Sequence, residues 1–167
     1  MNSNNIMTIT LSDASKAQEV KDLIANTIIS KYLPYVSDMS ELVEEQNTID
    51  NIRIEGAALV LDKAEGCMIP DAFDDELNDI LPIIAKTYKD MPFVCQAETY
   101  ETYDVKYENG TLQIDSVCVP MGYFLMEDET PESDATVIDL GEETLVIPHH
   151  PCERLSPIYS SRTIVIE

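Results

Sequence analysis

The residues with the greatest capacity for chemistry sit together near one end of the chain. Pro148-His149-His150-Pro151-Cys152 places two imidazoles and a thiol within four positions. Imidazole nitrogen and thiolate sulfur are zinc ligands, and a Cys beside a His is also the pairing of a nucleophile with its base. Adjacent side chains on an extended segment point to opposite sides. A structural zinc site at His149, His150 and Cys152 would therefore need further ligands from elsewhere in the chain. No oxyanion loop and no third orienting group accompany the Cys–His pair, and a turn bounded by two prolines accounts for the same residues.

Carboxylates supply the second chemical possibility. Asp71 to Glu76 and Glu127 to Asp134 lack the central Gly and the terminal bidentate Glu of a calcium loop. Walker A, GxGxxG, GxSxG, HExxH and CxxC patterns are all missing from the sequence, so the common nucleotide, hydrolase, zincin and redox signatures are not available to it. The chain reads as non-enzymatic, with no cofactor.

What distinguishes the acids is their company. From Tyr107 to Glu153 there are eleven Asp and Glu and no Lys or Arg. On antiparallel strands with one buried face, such acids fall on the other face or in the loops, repeating about 7 Å apart along one strand face. A similar spacing, about 7 Å, separates successive phosphates of a nucleic-acid strand. A surface kept only soluble has no need to lose its bases, whereas one that must attract a basic groove loses affinity with every Lys it carries. The expectation is a nucleic-acid mimic that occupies the basic groove of a DNA- or RNA-handling protein. Glu127, Asp128, Glu129, Glu132, Asp134, Asp139, Glu142 and Glu143 stand in for phosphates, with Glu108 and Tyr100 beside them. Tyr103 and Tyr107 share a face with Val105 and are read as packing residues; Tyr100 is left as a contact candidate.

Local elements must hold these acids in place. Met7 to Leu11 alternates as a strand and Ser12-Asp13 caps the helix that follows. Val20, Leu23, Ile24, Thr27 and Ile28 give that helix, Asp13 to Tyr32, one apolar face, and it must stop before Pro34. Ser37 to Gln46 suggests a short acidic helical turn, Ile52 to Val60 a strand with a bulge at Gly56, and Asp71 to Tyr88 a second helix that Pro82 kinks or splits. Phe93 to Tyr107 reads as one long strand and Asn109-Gly110 as a type I′ turn leading to its partner, Thr111 to Val119. A second hairpin turns at Gly141-Glu142, and Thr163 to Ile166 adds a last strand. Met121, Tyr123, Phe124, Leu125 and Met126 form an apolar run, either a central strand or an exposed patch.

The order β-α-β-α-β-β plus further strands predicts an α+β fold with two helices on one face of a mostly antiparallel sheet. A ferredoxin-like core is the preferred topology. The expectation is a single domain over 1–167, with its core at 7–120 and an acidic extension at 121–167.

Thirty-two Asp and Glu against ten Lys and Arg give a net charge of −22 on a chain that is 44% apolar. That composition is globular, and the charge repels phosphate backbones and anionic membranes, which excludes direct nucleic-acid binding. Met1 to Met7 is polar and no apolar run spans a bilayer, so the expected location is the cytoplasm. Cys67, Cys95, Cys118 and Cys152 read as free thiols. In charge and size, though not in sequence, the chain resembles the inhibitors that phages and mobile elements direct against restriction, CRISPR or repair nucleases. Two readings stand against that one: a structural or assembly subunit, a homodimer included, whose acidity serves solubility, and a small zinc-dependent enzyme using His149, His150 or Cys152.

Overall fold

Alternation along the first strand sets the plan of the molecule. β1 (Asn4–Leu11) buries Met7, Ile9 and Leu11 on one face. Asp13 then stops the strand: its carboxylate accepts the Ser15 backbone N–H at 3.0 Å and the Ser15 hydroxyl at 2.6 Å, capping the turn that enters α1 (Ala17–Lys31). Val20, Ile24 and Ile28 are fully buried along one stripe of α1, each worth about 1.5–3 kcal/mol of transfer free energy. Thr27 shares the stripe, and its hydroxyl donates to the Leu23 carbonyl at 2.7 Å, so no polar group is stranded there. The structure, a computed structural model, describes residues 4–39, 42, 46, 49–65, 73, 76–98, 101–118, 120, 122–150 and 153–167. Within the expected helical turn at 37–46, Met39, Leu42 and Gln46 are helical.

Two expected strands are in fact hairpins. The segment around Gly56 forms β2 (Arg53–Glu55) and β3 (Ala58–Glu65), paired antiparallel with Glu55 opposite Ala58. Gly56 has φ +63°, so its freedom is used to reverse the chain and not to bulge one strand. Likewise 93–107 is not one strand. β4 (Phe93–Glu98) and β5 (Thr102–Glu108) pair antiparallel from Phe93 opposite Tyr107 to Glu98 opposite Thr102. The reversal falls where the sequence has no Gly, Pro, Asn or Asp, so nothing there marks a turn.

Other expectations match. A π-helical turn, Glu76–Ile80, runs into α2 (Leu81–Thr87), so the helical pattern changes two residues before Pro82, which has no N–H to give a preceding turn. Asp71, Asp74 and Asp75 lie outside the described residues. Asn109 and Gly110 have φ 52° and 77°, the left-handed pair of a type I′ turn, and they lead into β6 (Thr111–Cys118). The remaining strands are β7 (Tyr123–Phe124), β8 (Ala135–Asp139), β9 (Thr144–Pro148) and β10 (Ile158–Val165).

The fold is α+β: helices α1 and α2, a mostly antiparallel seven-stranded sheet in the order β10-β6-β5-β4-β1-β3-β2, and a three-stranded sheet in the order β7-β9-β8. The chain divides into two compact units, Met1–Ser116 with Ser161–Glu167, and Val117–Ser160. The larger unit holds the main core, in which α1 and α2 pack on one face of the sheet against Ile9, Leu59, Leu61, Phe93, Cys95, Val105 and Leu112. Tyr107 is 1% exposed in that core and donates its hydroxyl to the Lys89 carbonyl at 2.8 Å; Tyr103 packs at its margin. Both are packing residues, as their shared face with Val105 predicts. The C-terminal strand edges this sheet: Ile166 N–H donates to the Gly110 carbonyl, Thr163 hydroxyl to Gln113, and Ser161 hydroxyl to Asp115. Those bonds run in opposite senses along β6 and β10, so the pair is antiparallel. Among the described residues no helix is long and apolar enough to cross a membrane.

Candidate functional site

The smaller unit carries nearly all the candidate residues. Its 44 positions contain nine Asp and Glu and a single base, Arg154. β8 and β9 form the expected second hairpin, with Ala135 opposite Pro148 and Asp139 opposite Thr144. At the turn, Leu140 N–H donates to the Glu143 carbonyl at 2.9 Å, and the Asp139 carboxylate accepts the Gly141 N–H at 2.9 Å. Gly141 takes φ +95°, a conformation that a side chain would strain. The apolar run at 121–126 supplies β7, a two-residue edge strand rather than a central one. Met121 lies outside the described residues, while Phe124 and Met126 are 52% and 68% exposed. Strand β7 is held close to β9 at Gly122, where an added Cβ would meet the Val146 carbonyl oxygen at 2.6 Å.

Geometry sorts the acids into two groups. Glu129 receives both arms of the Arg154 guanidinium, Nη2 to Oε1 and Nη1 to Oε2, each at 2.6 Å. This fork holds the Glu129 carboxyl below the ordinary carboxylate range and raises the guanidinium in turn. The same guanidinium lies 4.3 Å from the centre of the Tyr123 ring. Tyr123 donates its hydroxyl to Glu132 at 2.8 Å, a bond that pushes the phenol up. Glu132 also meets His150 Nε2 at 2.6 Å. Asp134 meets His149 Nδ1 at 3.1 Å, and the other ring nitrogen of His149 lies 2.7 Å from the Thr136 hydroxyl.

Three of the proposed phosphate substitutes are thus engaged within the unit. Glu127, Asp128, Glu142 and Glu143 are exposed with no base against them among the described ion pairs, and Asp139 spends one oxygen on the Gly141 amide alone. Glu108, in the larger unit, pairs with Lys106 of its own strand at 3.3 Å. Tyr100 lies outside the described residues.

The two histidines do not converge on one point. Each is turned to a different carboxylate, as neighbouring residues on an extended segment must be. Among the described residues no group of three His, Cys, Asp or Glu is placed to hold a metal ion; Cys152 is not among them. Thr136, His149 and Asp134 do stand in the order of a hydroxyl–imidazole–carboxylate relay. Asp134 and His149 are 68% and 51% exposed, however, so water competes at each bond, and acyl transfer also requires donors aimed at a developing oxyanion. The two histidines tie Asp134 and Glu132 to the residues that follow β9.

No family model, curated protein or solved structure matches this chain. Its site is read from its own residues. Sequence reasoning does not reach Arg154 or Thr136, and it reads Tyr123 only as part of an apolar run. Arg154 stands one residue beyond the base-free stretch, and nothing local shows that it returns to Glu129, 25 positions earlier. The thiols divide by burial: Cys95 is enclosed in the core and its thiol is pushed up by desolvation, while Cys118 is partly accessible.

Proposed function

We propose that this chain is a non-enzymatic acidic inhibitor or regulator that mimics nucleic acid and occupies the basic groove of a nucleic-acid-handling partner, such as a defence nuclease aimed at phage. The observation that carries the reading is the sorting of acids in the smaller unit. Glu127, Asp128, Glu142 and Glu143 are exposed, and Arg154, the one base there, is committed to Glu129. A basic groove meets only like-signed, uncompensated charge at those positions, the condition for steering and for release of the groove's counterions. The ferredoxin-like reading of the larger unit belongs to the same proposal. It is supported by the run β1-α1-β2-β3-α2-β4 with sheet order β4-β1-β3-β2.

The test is capture on the immobilised full chain. At about 50 mM salt a nucleic-acid-binding protein is retained, and duplex DNA releases it. Raising salt to about 200 mM should weaken retention, because screening shortens the reach of the exposed acids. Retention of proteins that duplex DNA does not release would sink the reading.

A second reading has its own support. Phe124, Met126, Leu140, Ile158 and Tyr159 of the smaller unit are each more than half exposed, a quantity of apolar surface suited to an assembly contact. Partner binding that strengthens or holds steady as salt rises would favour a structural subunit over a mimic.

A further inference from the structure

The three-stranded sheet ends on an open edge. Its order, β7-β9-β8, leaves β8 outermost, and β8 is exposed from Thr136 to Asp139. The phase of its hydrogen bonding follows from its two ends. Leu140 N–H donates to the Glu143 carbonyl, and His149 N–H donates to the Asp134 carbonyl at 3.2 Å. With Thr136 opposite Ile147 and Ile138 opposite Leu145, antiparallel alternation points the main-chain groups of Asp134, Thr136, Ile138 and Leu140 toward β9. It points those of Ala135, Val137 and Asp139 outward.

Native edges are commonly guarded by Lys, Pro or a bulge. Strand β8 reads Ala-Thr-Val-Ile-Asp, with none of these residues and an unbroken register. Val137 and Ile138 are 47% and 38% exposed and point to opposite faces. An added strand would therefore find apolar contact on both faces as well as backbone partners. The surrounding charge is of one sign: Asp139 closes the strand, Glu142 and Glu143 follow in the turn, and no Lys or Arg occurs between Lys106 and Arg154.

We infer that β8 is a docking edge for an extended basic segment of the partner, added as a fourth strand. Such a segment carries an apolar residue opposite Val137 and Lys or Arg opposite Asp139 and beside the turn. A second copy of the chain is the wrong occupant. Pairing β8 with itself would set the turn acids of each copy beside Glu132 and Asp134 of the other, with −22 on both molecules. The inference rests on the proposed acid-directed recognition of a basic partner and adds that backbone hydrogen bonds fix its register.

The probe is a short capped peptide, Lys-Lys-Val-Thr-Val-Lys-Lys, titrated into the isotopically labelled full chain at about 50 mM salt. The largest amide shifts and slowed exchange should fall on Ala135, Val137 and Asp139. The same peptide N-methylated on its pairing edge keeps its charge but should bind about tenfold more weakly, the cost of two or so main-chain hydrogen bonds. Val137→Pro removes one outward N–H without touching a bond to β9, which edge positions tolerate, and should weaken the unmodified peptide to a similar degree. Equal binding of the N-methylated peptide would overturn edge pairing while leaving attraction by the acids intact. Failure of every basic peptide would overturn it too, and the DNA-release experiment would then decide the mimicry reading separately. A free chain that sediments as a dimer with those three amides already protected would give the edge to a second copy and end the inference.

Discussion

The two units of this chain are held together by different physics. In the larger, twenty-three acids are offset by nine bases, and a core of more than twenty buried residues, from Met7 to Ile114, carries the fold. In the smaller, nine acids face one Arg, and Val146 is the one fully buried hydrophobic residue among those described. Where apolar burial is scarce, polar links take over: Glu129 with Arg154, Tyr123 with Glu132, His150 with Glu132, and His149 with Asp134 and Thr136. The contrast teaches that acidity alone does not mark a surface for binding. Part of it holds the smaller unit in shape, and only the remainder is free to meet a partner.

The largest effect expected on this contrast comes from the larger unit's core. Ile24→Ala removes a fully buried side chain from α1 and should lower global stability by about 2–5 kcal/mol, read by denaturant unfolding. Gly122→Ala should act locally and less, by about 1–3 kcal/mol, because its new Cβ forces β7 away from the Val146 carbonyl. Tyr123 and Val146 amide exchange should accelerate while the α1 amides hold. A loss of α1 protection in Gly122→Ala would break the distinction between the units.

Acid offers a gentler test. The Glu129 carboxyl is lowered in the folded chain by its bonds to Arg154, so its contribution is present above the ordinary Glu value of about 4.3 and is lost as pH falls through the lower folded value. The Arg154–Tyr123 contact should therefore loosen in acid below about pH 4, seen in the Tyr123 ring signals. Arg154→Gln should remove that acid step and leave the larger unit unchanged. The smallest effect is chemical: a thiol reagent should modify Cys118 in the native chain and spare Cys95 until the core unfolds.

The sequence makes some of this plain and conceals the rest for physical reasons. Asn109-Gly110 announces its turn because both positions need positive φ, and the stripe from Val20 to Ile28 announces its helix because burial repeats with the helical period. Gly56 is ambiguous on its own, since the same freedom serves a bulge or a reversal. The turn between Glu98 and Thr102 carries no residue that favours turning, so alternation runs straight through it. At the candidate site the abundance of acid is legible, but which acids are engaged is not. That depends on Arg154, His149 and His150 being brought back across 15 to 25 positions by the β8–β9 hairpin and the segments beside it.

The most direct test puts the uncompensated acids in competition with duplex DNA for the partner protein, once that protein has been recovered from the immobilised chain and loaded with DNA. A Glu127→Gln, Asp128→Asn, Glu142→Gln, Glu143→Gln variant, with its fold checked by amide spectra, should be needed at about 8- to 30-fold higher concentration than the parent to displace the DNA, at about 0.3–0.5 kcal/mol per lost contact. Displacement by that variant at the parent's concentration would contradict the claim that these four side chains are the mimic's surface.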